Sequence, residues 1–259
     1  MSTSAKLPAP GAVTEMACWP PARTLQTSDG WRVGLSAGVT RRANSAVPLH
    51  VPVDVASAVE EVEALYGEHG QRPVIRVGGT VADAVVDHEL DRRGWATLSQ
   101  TDVLARELGD ETAMGALPVS LEVTSAREPD GEWLETYLAA KTAGRHQQVL
   151  TGILASGDAW HLTARDAAGP RRRVVGVIRV AQADGWSALS CLTVAPDARR
   201  RGIGRALTCA ALRLAQEQGS TRVFLQVERS NAIARALYDD LGFVVVDSYA
   251  YREPADPGR

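Results

Sequence analysis

Two periods of apolar residues alternate along this chain. One recurs every three to four positions and the other every two or in short unbroken runs. In Val55–Gly70 the residues Val55, Val59, Val62 and Leu65 share one face at helical spacing, and Gly70 ends the run. The run "RPVIRV" (Arg72–Val77) then predicts a strand, Val81–Gly94 a helix, and "WATLSQTDVLARE" (Trp95–Glu107) a strand. Ahead of these, "WRVGLSAGV" (Trp31–Val39) and "RRANSAVPL" (Arg41–Leu49) predict short strands. A second series starts with a strand in "PVSLEVTSARE" (Pro118–Glu128) and a helix over Glu132–Ala143. His146–Asp158 suits either a loop or a helix. Strands follow at Trp160–Ala167, Arg172–Gln182 and Ser187–Pro196, the last two joined by a hairpin signal at Ala183–Gly185. Ile203–Gly219 is a helix with Ile203, Leu207, Ala210, Ala211 and Leu214 on one face. A strand (Arg222–Val227), a helix (Asn231–Gly242) and a last strand (Phe243–Arg252) complete the series.

The two series end alike. "EHG", strand, helix, "RRGW", strand and "ARE" in the first match "EQG", strand, helix, "DLGF", strand and "YRE" in the second. The spans Gly70–Gly94 and Gly219–Gly242 are nearly equal. This order predicts a tandem repeat of one α/β unit: a loose tail over residues 1–15, a first unit over 16–117 and a second over 118–259, divided within Gly115–Pro118. Chance likeness between any two αβαβ segments is the competing account. The 259 residues suffice for one large or two ordinary domains. A net charge of −3 argues against a general nucleic-acid binder. The three cysteines, Cys18, Cys191 and Cys209, form no CxxC pair and no metal-ligand spacing, so they read as buried thiols in a reducing compartment, with no metal expected. The start "MSTSAKLPAPGAV" lacks the apolar centre of a signal peptide, and no apolar run approaches the roughly 20 residues of a membrane span. The expected location is the cytoplasm.

The stretch "VAPDARRRGIGRAL" (Val194–Leu207) concentrates chemistry at a predicted strand-to-helix join. A helix start offers unpaired N–H groups and the positive end of the macrodipole, so it attracts anions. Gly202 and Gly204 carry no Cβ to obstruct close approach, and Arg199, Arg200 and Arg201 add guanidinium groups suited to phosphate. The turn therefore suits a phosphate or pyrophosphate. The same residues also suit an arginine-rich surface turn. A dinucleotide fingerprint fits less well: Leu207 stands where the third glycine belongs, although Glu228 could stand for the ribose-binding acid. No Gly-Lys-Ser/Thr follows, which removes the ATP P-loop.

Downstream, "LQVERSNAIARALYDDLGF" (Leu225–Phe243) supplies the second half of a pattern. RxxGxG (Arg199, Gly202, Gly204) followed by NxxAxxLYxxxGF (Asn231, Ala234, Leu237, Tyr238, Gly242, Phe243) resembles the GNAT superfamily of N-acetyltransferases over about Ala188–Arg252. The resemblance implies a mixed, mostly antiparallel sheet flanked by helices, in two tandem units, and an enzyme using acetyl-coenzyme A as co-substrate. It implies that the turn Arg199, Arg200, Arg201, Gly202, Ile203, Gly204, Arg205 and Ala206 holds the pyrophosphate. Leu192, Thr193 and Val194 would pair with the pantetheine amides, an N–H near Val194 polarising the thioester carbonyl. Asn231 and Ala234 would contact the cofactor arm, and Tyr238 would protonate the departing thiolate. Tyr238 lies on helical spacing with Asn231 and Ala234, and a phenol can donate that proton; packing as a core tyrosine beside Leu237 is the bland alternative.

The acceptor side carries less signal. An attacking amine must lose a proton, which calls for a base. Some members of the superfamily carry a glutamate on the strand before the turn, but "WSALSCLTV" has no acid. Glu228 is the candidate base, though its place at a strand end first suggests an ordinary exposed charge, with His161 and His146 behind it. Tyr249, Tyr251, Trp160 and Trp186 are candidate walls of the amine pocket, and equally readable as packing residues. The first unit has Leu90 at the place of Tyr238 and no RxxGxG, so it reads as a degenerate unit; its "TRRANS" (Thr40–Ser45) suits the amine cleft or a domain interface. The expected partner is an amine-bearing small molecule or a protein amine, with no nucleic acid or membrane, and the chain a monomer or homodimer. The alternative function is an acyl-CoA sensor of the same fold that performs no transfer.

Overall fold

The segment "VVGVIRVA", apolar but for Arg179, is a strand covered on both faces. In a computed structural model, which describes residues 7–109, 120–139, 146–167 and 172–255, this strand is β8 (Val174–Ala183). It lies between β7 (Asp158–Asp166) and β9 (Trp186–Val194), both antiparallel to it. On one face of β8, Val175, Ile178 and Val180 pack under α6 (Ile203–Glu217) through Leu207, Ala211 and Leu212. On the other, Val174 and Val177 meet Trp133 of α4 (Gly131–Ala139) and Leu154 of α5 (Gln147–Ala155). The ambiguous segment after His146 is thus helical, its apolar face held by tertiary burial.

The remaining strands are β1 (Arg23–Gln26), β2 (Arg32–Leu35), β3 (Ala46–Val47), β4 (Ile75–Val77), β5 (Trp95–Glu107), β6 (Leu121–Ala126), β10 (Arg222–Glu228) and β11 (Val244–Pro254). They complete one 11-stranded sheet in the order β1-β2-β3-β4-β11-β5-β10-β9-β8-β7-β6. Neighbours are antiparallel except at β3–β4 and β9–β10. Each parallel junction needs a crossover helix, supplied by α2 (Val55–Glu68) and by α6. The last strands of the two series change places: β11 lies between β4 and β5, and β5 pairs with β10 over Arg222–Glu228. Beneath α2 and α3 (Val81–Arg92), a second core gathers Trp31, Val59, Val62, Tyr66, Ile75 and Leu90.

Two expectations need correction. The tail expected through residue 15 is instead helical from Ala12: α1 (Ala12–Cys18) lies against β8 and β9, with Glu15 only 2% exposed. Glu15 accepts from Arg76 (2.9 Å) and from Gln226, bridging β4 and β10. The strand expected over Arg41–Leu49 contracts to a 3-10 turn, Arg41–Ala43, and the two-residue β3. β1 was not anticipated, its pattern being mostly exposed. The division expected at 117/118 lies outside the described residues.

Candidate functional site

The β9–β10 ladder stops early, and the site begins there. Paired from Arg222↔Trp186 to Leu225↔Leu189, the two strands then part. β10 continues against β5, and β9 continues against β8 to Val194↔Gly176. Past Leu189, β9 therefore presents an unpaired edge, which an amide-bearing ligand can complete as a strand would. One residue too many sits in β9: Cys191 and Leu192 fall between the pairs Arg179↔Ser190 and Val177↔Thr193. This bulge bends the strand away from β10 and puts Cys191 at φ 62°. A cavity of about 560 Å³ occupies the opening.

At the far end of β9, a 3-10 turn (Pro196–Ala198) leads into α6. Gly202 is its N-cap in the left-handed region (φ 75°), and Arg200 takes φ 58°. No side chain caps the helix, and its first internal bond runs from Ala206 N–H to Gly202 O (2.9 Å). The N–H groups of Ile203, Gly204 and Arg205 thus have no intrahelical acceptor, which is the condition for an anion site. A Cβ on Gly204 would lie 3.8–3.9 Å from Leu237, Val194 and Leu192. The turn therefore opens on the side where Leu192 lines the cavity.

The third wall is α7 (Ala232–Asp240). Asn231 caps it, its side-chain oxygen accepting from Ala234 N–H at 3.1 Å. Two turns on, Tyr238 is buried edge-on against Phe243, with 5.7 Å between ring centroids. Its hydroxyl has no hydrogen-bond partner among the described residues. Burial pushes the phenol up to about 12, so it holds its proton at neutral pH.

The sequence matches the family model described as "Probable histone acetyltransferase Rv0428c C-terminal" over residues 13–252. The chain belongs to this family, within the GNAT superfamily. A mycothiol acetyltransferase from Beutenbergia cavernae is 51% identical over 59 residues, which are 23% of this chain and 20% of that relative. The match thus spans about a fifth of the relative's length. Among solved structures, a GCN5-related N-acetyltransferase from Kribbella flavida superposes with a TM-score of 0.71 at 19% identity, covering 99% of this chain and 98% of the other. A tandem GNAT protein from the clavulanic acid biosynthesis pathway gives 0.67 at 16% identity, covering 98% and 91%. These two establish likeness of fold.

Against this GNAT frame, the residues singled out in the sequence fall into three groups. Leu192, Thr193, Glu228, Asn231, Ala234 and Tyr238 meet on one cavity wall, as do Tyr249 and Tyr251, whose hydroxyls lie 3.4 Å apart. Val194 and the turn Arg199–Ala206 lie beside the cavity. There Arg201 is engaged by Asp166 (2.9 Å) and Arg205 by Asp240. Arg199 reaches only Val194 O (3.4 Å), and Arg200 meets no acceptor among the described residues. The backbone, with Arg199 and Arg200, is left to face an anion. The third group lies elsewhere. His161 is buried with its ring nitrogens 3.0 Å from Leu154 O and 3.2 Å from Arg127 O, and burial pushes its pKa down. It is a structural histidine. His146 stands at the start of α5, Trp160 under Arg127, and Trp186 against Phe224; none lines the cavity.

The first half of this GNAT chain supplies another part of the wall, including Trp19, Arg41, Arg42 and Thr101. Arg41 and Arg42 come from the "TRRANS" stretch, whose place is therefore the cleft. Trp19 and Tyr137 of α4 carried no sequence signal, since long-range packing alone brings them there. Beside the cavity, Asp102 is opposed by burial but held below the usual carboxylate range by bonds from Arg229 (2.8 Å) and Arg235. Leu90, at the counterpart of Tyr238, is fully buried. Among the described residues no group of three or more His, Cys, Asp or Glu could hold a metal ion, and no helix is long and apolar enough to cross a membrane.

The turn yields a direct prediction. Gly204 has an ordinary helical place, and its nearest neighbours leave room for a Cβ. Gly204→Val therefore folds, while its γ-carbons fill the space between α6, α7 and Leu192. If the turn holds a pyrophosphate, acetyl-CoA affinity by calorimetry is expected to fall by about tenfold or more, equivalent to roughly 1.4 kcal/mol. An unchanged Kd would remove this turn from the binding surface.

Proposed function

We propose that this chain transfers an acetyl group from acetyl-CoA to a primary amine by direct attack in a ternary complex. The observation that carries the reading is the parting of β9 and β10 at a bulge, between an uncapped helix start and a buried, protonated Tyr238. The α6 N–H groups, with Arg199 and Arg200, bind the pyrophosphate. The free edge of β9 at Leu192–Val194 pairs with the pantetheine amides, and an N–H near Val194 polarises the thioester carbonyl. Asn231 and Ala234 flank the cofactor arm. Glu228, on the cavity wall and open to solvent, takes the proton of the acceptor ammonium through water. The amine nitrogen then attacks the carbonyl carbon; its C–N bond forms, the C–S bond breaks, and Tyr238 gives its proton to the departing thiolate, while the second proton of the attacking nitrogen leaves to solvent water, from which the phenol is reprotonated.

We read residues 16–117 as a degenerate unit and 118–259 as the catalytic one, with Trp19, Arg41 and Arg42 of the first reaching the cleft. The acceptor is an amine-bearing small molecule or a protein amine, and the chain works as a monomer or homodimer. A cytoplasmic location accords with three free cysteines, Cys18, Cys191 and Cys209. One observation favours a second reading, an acyl-CoA sensor without turnover: β9 carries no carboxylate, and Glu228 is exposed.

A thermal-shift series with acetyl-CoA, CoA and NAD tests both. Ligand at 100 times its Kd adds about 2.7 kcal/mol to the native state, or roughly 5–10 °C for a chain of this size. Acetyl-CoA and CoA are expected to give this shift and NAD none. Release of free CoA thiol in the presence of amines separates transferase from sensor. No shift with acetyl-CoA would end both readings.

A further inference from the structure

The cavity wall carries charge in an uneven way. Its described carboxylate is Glu228, at the β10 end, while Arg41 and Arg42 stand at the end built by the first half. Several arginines of this chain find acids: Arg93 meets Glu60, Glu63 and Glu89, and Arg252 meets Asp87 and Asp91. Arg41 and Arg42 meet none among the described residues. Arg42 is half-buried, with its guanidinium carbon 4.8 Å from the centre of the Trp19 ring. Arg179 approaches the same ring at 5.5 Å and is itself fully buried, bonded only to carbonyls. Two cations thus flank one aromatic ring with no carboxylate beside them, and the resulting positive field reaches the cavity.

The turn that presents Arg42 is braced. Thr40 takes φ 52°, and its hydroxyl accepts from Ala43 N–H (3.3 Å) and Trp19 Nε1–H (3.1 Å). The Asn44 side chain accepts from Ser36 N–H (2.8 Å) and Gly38 N–H (3.0 Å). A strained backbone held by this many bonds fixes the direction of the arginines, and an unpaired guanidinium fork so fixed is matched by a planar or tetrahedral oxyanion.

We propose that Arg42, assisted by Arg41, binds an anionic group on the acceptor, so that the substrate is a small amine bearing a carboxylate or phosphate. The inference rests on the transferase reading above, and it orients the acceptor: anion toward Trp19, ammonium toward Glu228. The first half would then set acceptor specificity.

The test uses the full chain, as wild type and as Arg42→Gln, with and without saturating acetyl-CoA. Matched pairs serve as probes: glycine and glycinamide, β-alanine and β-alaninamide, phosphoethanolamine and ethanolamine. Thermal shift reads binding, and thiol release reads transfer. At least one acidic member is expected to exceed its neutral partner by about tenfold or more in affinity or kcat/KM. Arg42→Gln is expected to erase that preference, leaving the acetyl-CoA shift and the response to neutral amines within about twofold. The carboxylate and phosphate arms say which oxyanion is read. Equal response to both members of every pair, no response to any acidic amine, or a preference that survives in Arg42→Gln would overturn the proposal. Absence of an acetyl-CoA shift in wild type would instead overturn the transferase reading, while the pairs tested without acetyl-CoA still judge the arginine site.

Discussion

If Tyr238 is the acid of the proposed transfer, replacing it with phenylalanine is expected to cut turnover by about 10²–10⁴-fold, the usual contribution of a positioned general acid, and to leave acetyl-CoA affinity within about twofold of wild type. The ring stays: its edge contact with Phe243 and its place on the cavity wall need no hydroxyl. What disappears is an O–H with no acceptor in the described protein, so no buried partner is orphaned and stability changes little. The pH profile adds a second readout. Because burial pushes the phenol up to about 12, the neutral donor form persists through the neutral range and beyond. Wild-type kcat should rise as the acceptor amine deprotonates and should fall only as pH approaches 12. The same shift fixes the sign of a stability effect. The fold favours the neutral phenol, so its contribution is complete below the ordinary value near 10 and is lost as pH rises toward 12. Turnover kinetics with calorimetric acetyl-CoA binding decide the matter. A fully active Tyr238→Phe enzyme would show that the thiolate takes its proton from water.

Much of this site lies within short reach in the chain, and such parts are the legible ones. Asn231, Ala234 and Tyr238 share a face because helical geometry demands it, and the start of α6 follows from Gly202. The α/β alternation and β5, which spans Trp95–Glu107 as expected, follow from periodicity alone. Charge was the misleading signal. Adjacent arginines suggest a shared anion, but Arg201 and Arg205 are met by Asp166 and Asp240, each 35 positions away. Nothing local marks α1 as ordered. Seven residues after a Pro-Gly pair would not hold a helix alone, and this one is held through Thr14 to Asp184 (2.9 Å) and Cys18 O to Arg179 (2.8 Å). The interchange of β5 and β11 is equally invisible, since both strands satisfy the same pattern with either set of neighbours. Trp19 and Tyr137 reach the cavity only through these non-local contacts.

Arg179→Ala should be the most destabilising single change in the cleft, costing about 3–5 kcal/mol. The side chain is fully buried in the middle of β8, and no carboxylate pairs with it. Its donors satisfy carbonyls from two helix ends instead: Nε to Leu154 O (3.0 Å), and the terminal nitrogens to Ser156 O (2.6 Å) and Cys18 O (2.8 Å). A cation at helix C-termini is electrostatically favoured, which explains how a lone guanidinium is tolerated there. Truncation leaves Cys18 O and Ser156 O without this partner, at about 1–3 kcal/mol each, and opens a void behind Trp19. Leu154 O keeps His161 at 3.0 Å, so α5 loses less than α1. At roughly 2–4 °C per kcal/mol, the melting temperature should drop by about 10 °C. Hydrogen exchange should rise first in Ala12–Cys18, the segment that Arg179 ties to the sheet. Arg179→Met restores volume without donors and should recover only part of the loss. If Met recovers all of it, packing rather than the three carbonyl bonds holds α1 against β8. The proposed acetyl-CoA site is built by β9, α6 and α7, so on that reading acetyl-CoA affinity below the new melting temperature should stay near wild type. The part of the cleft where Trp19 stands between Arg42 and Arg179 should be the part that loosens.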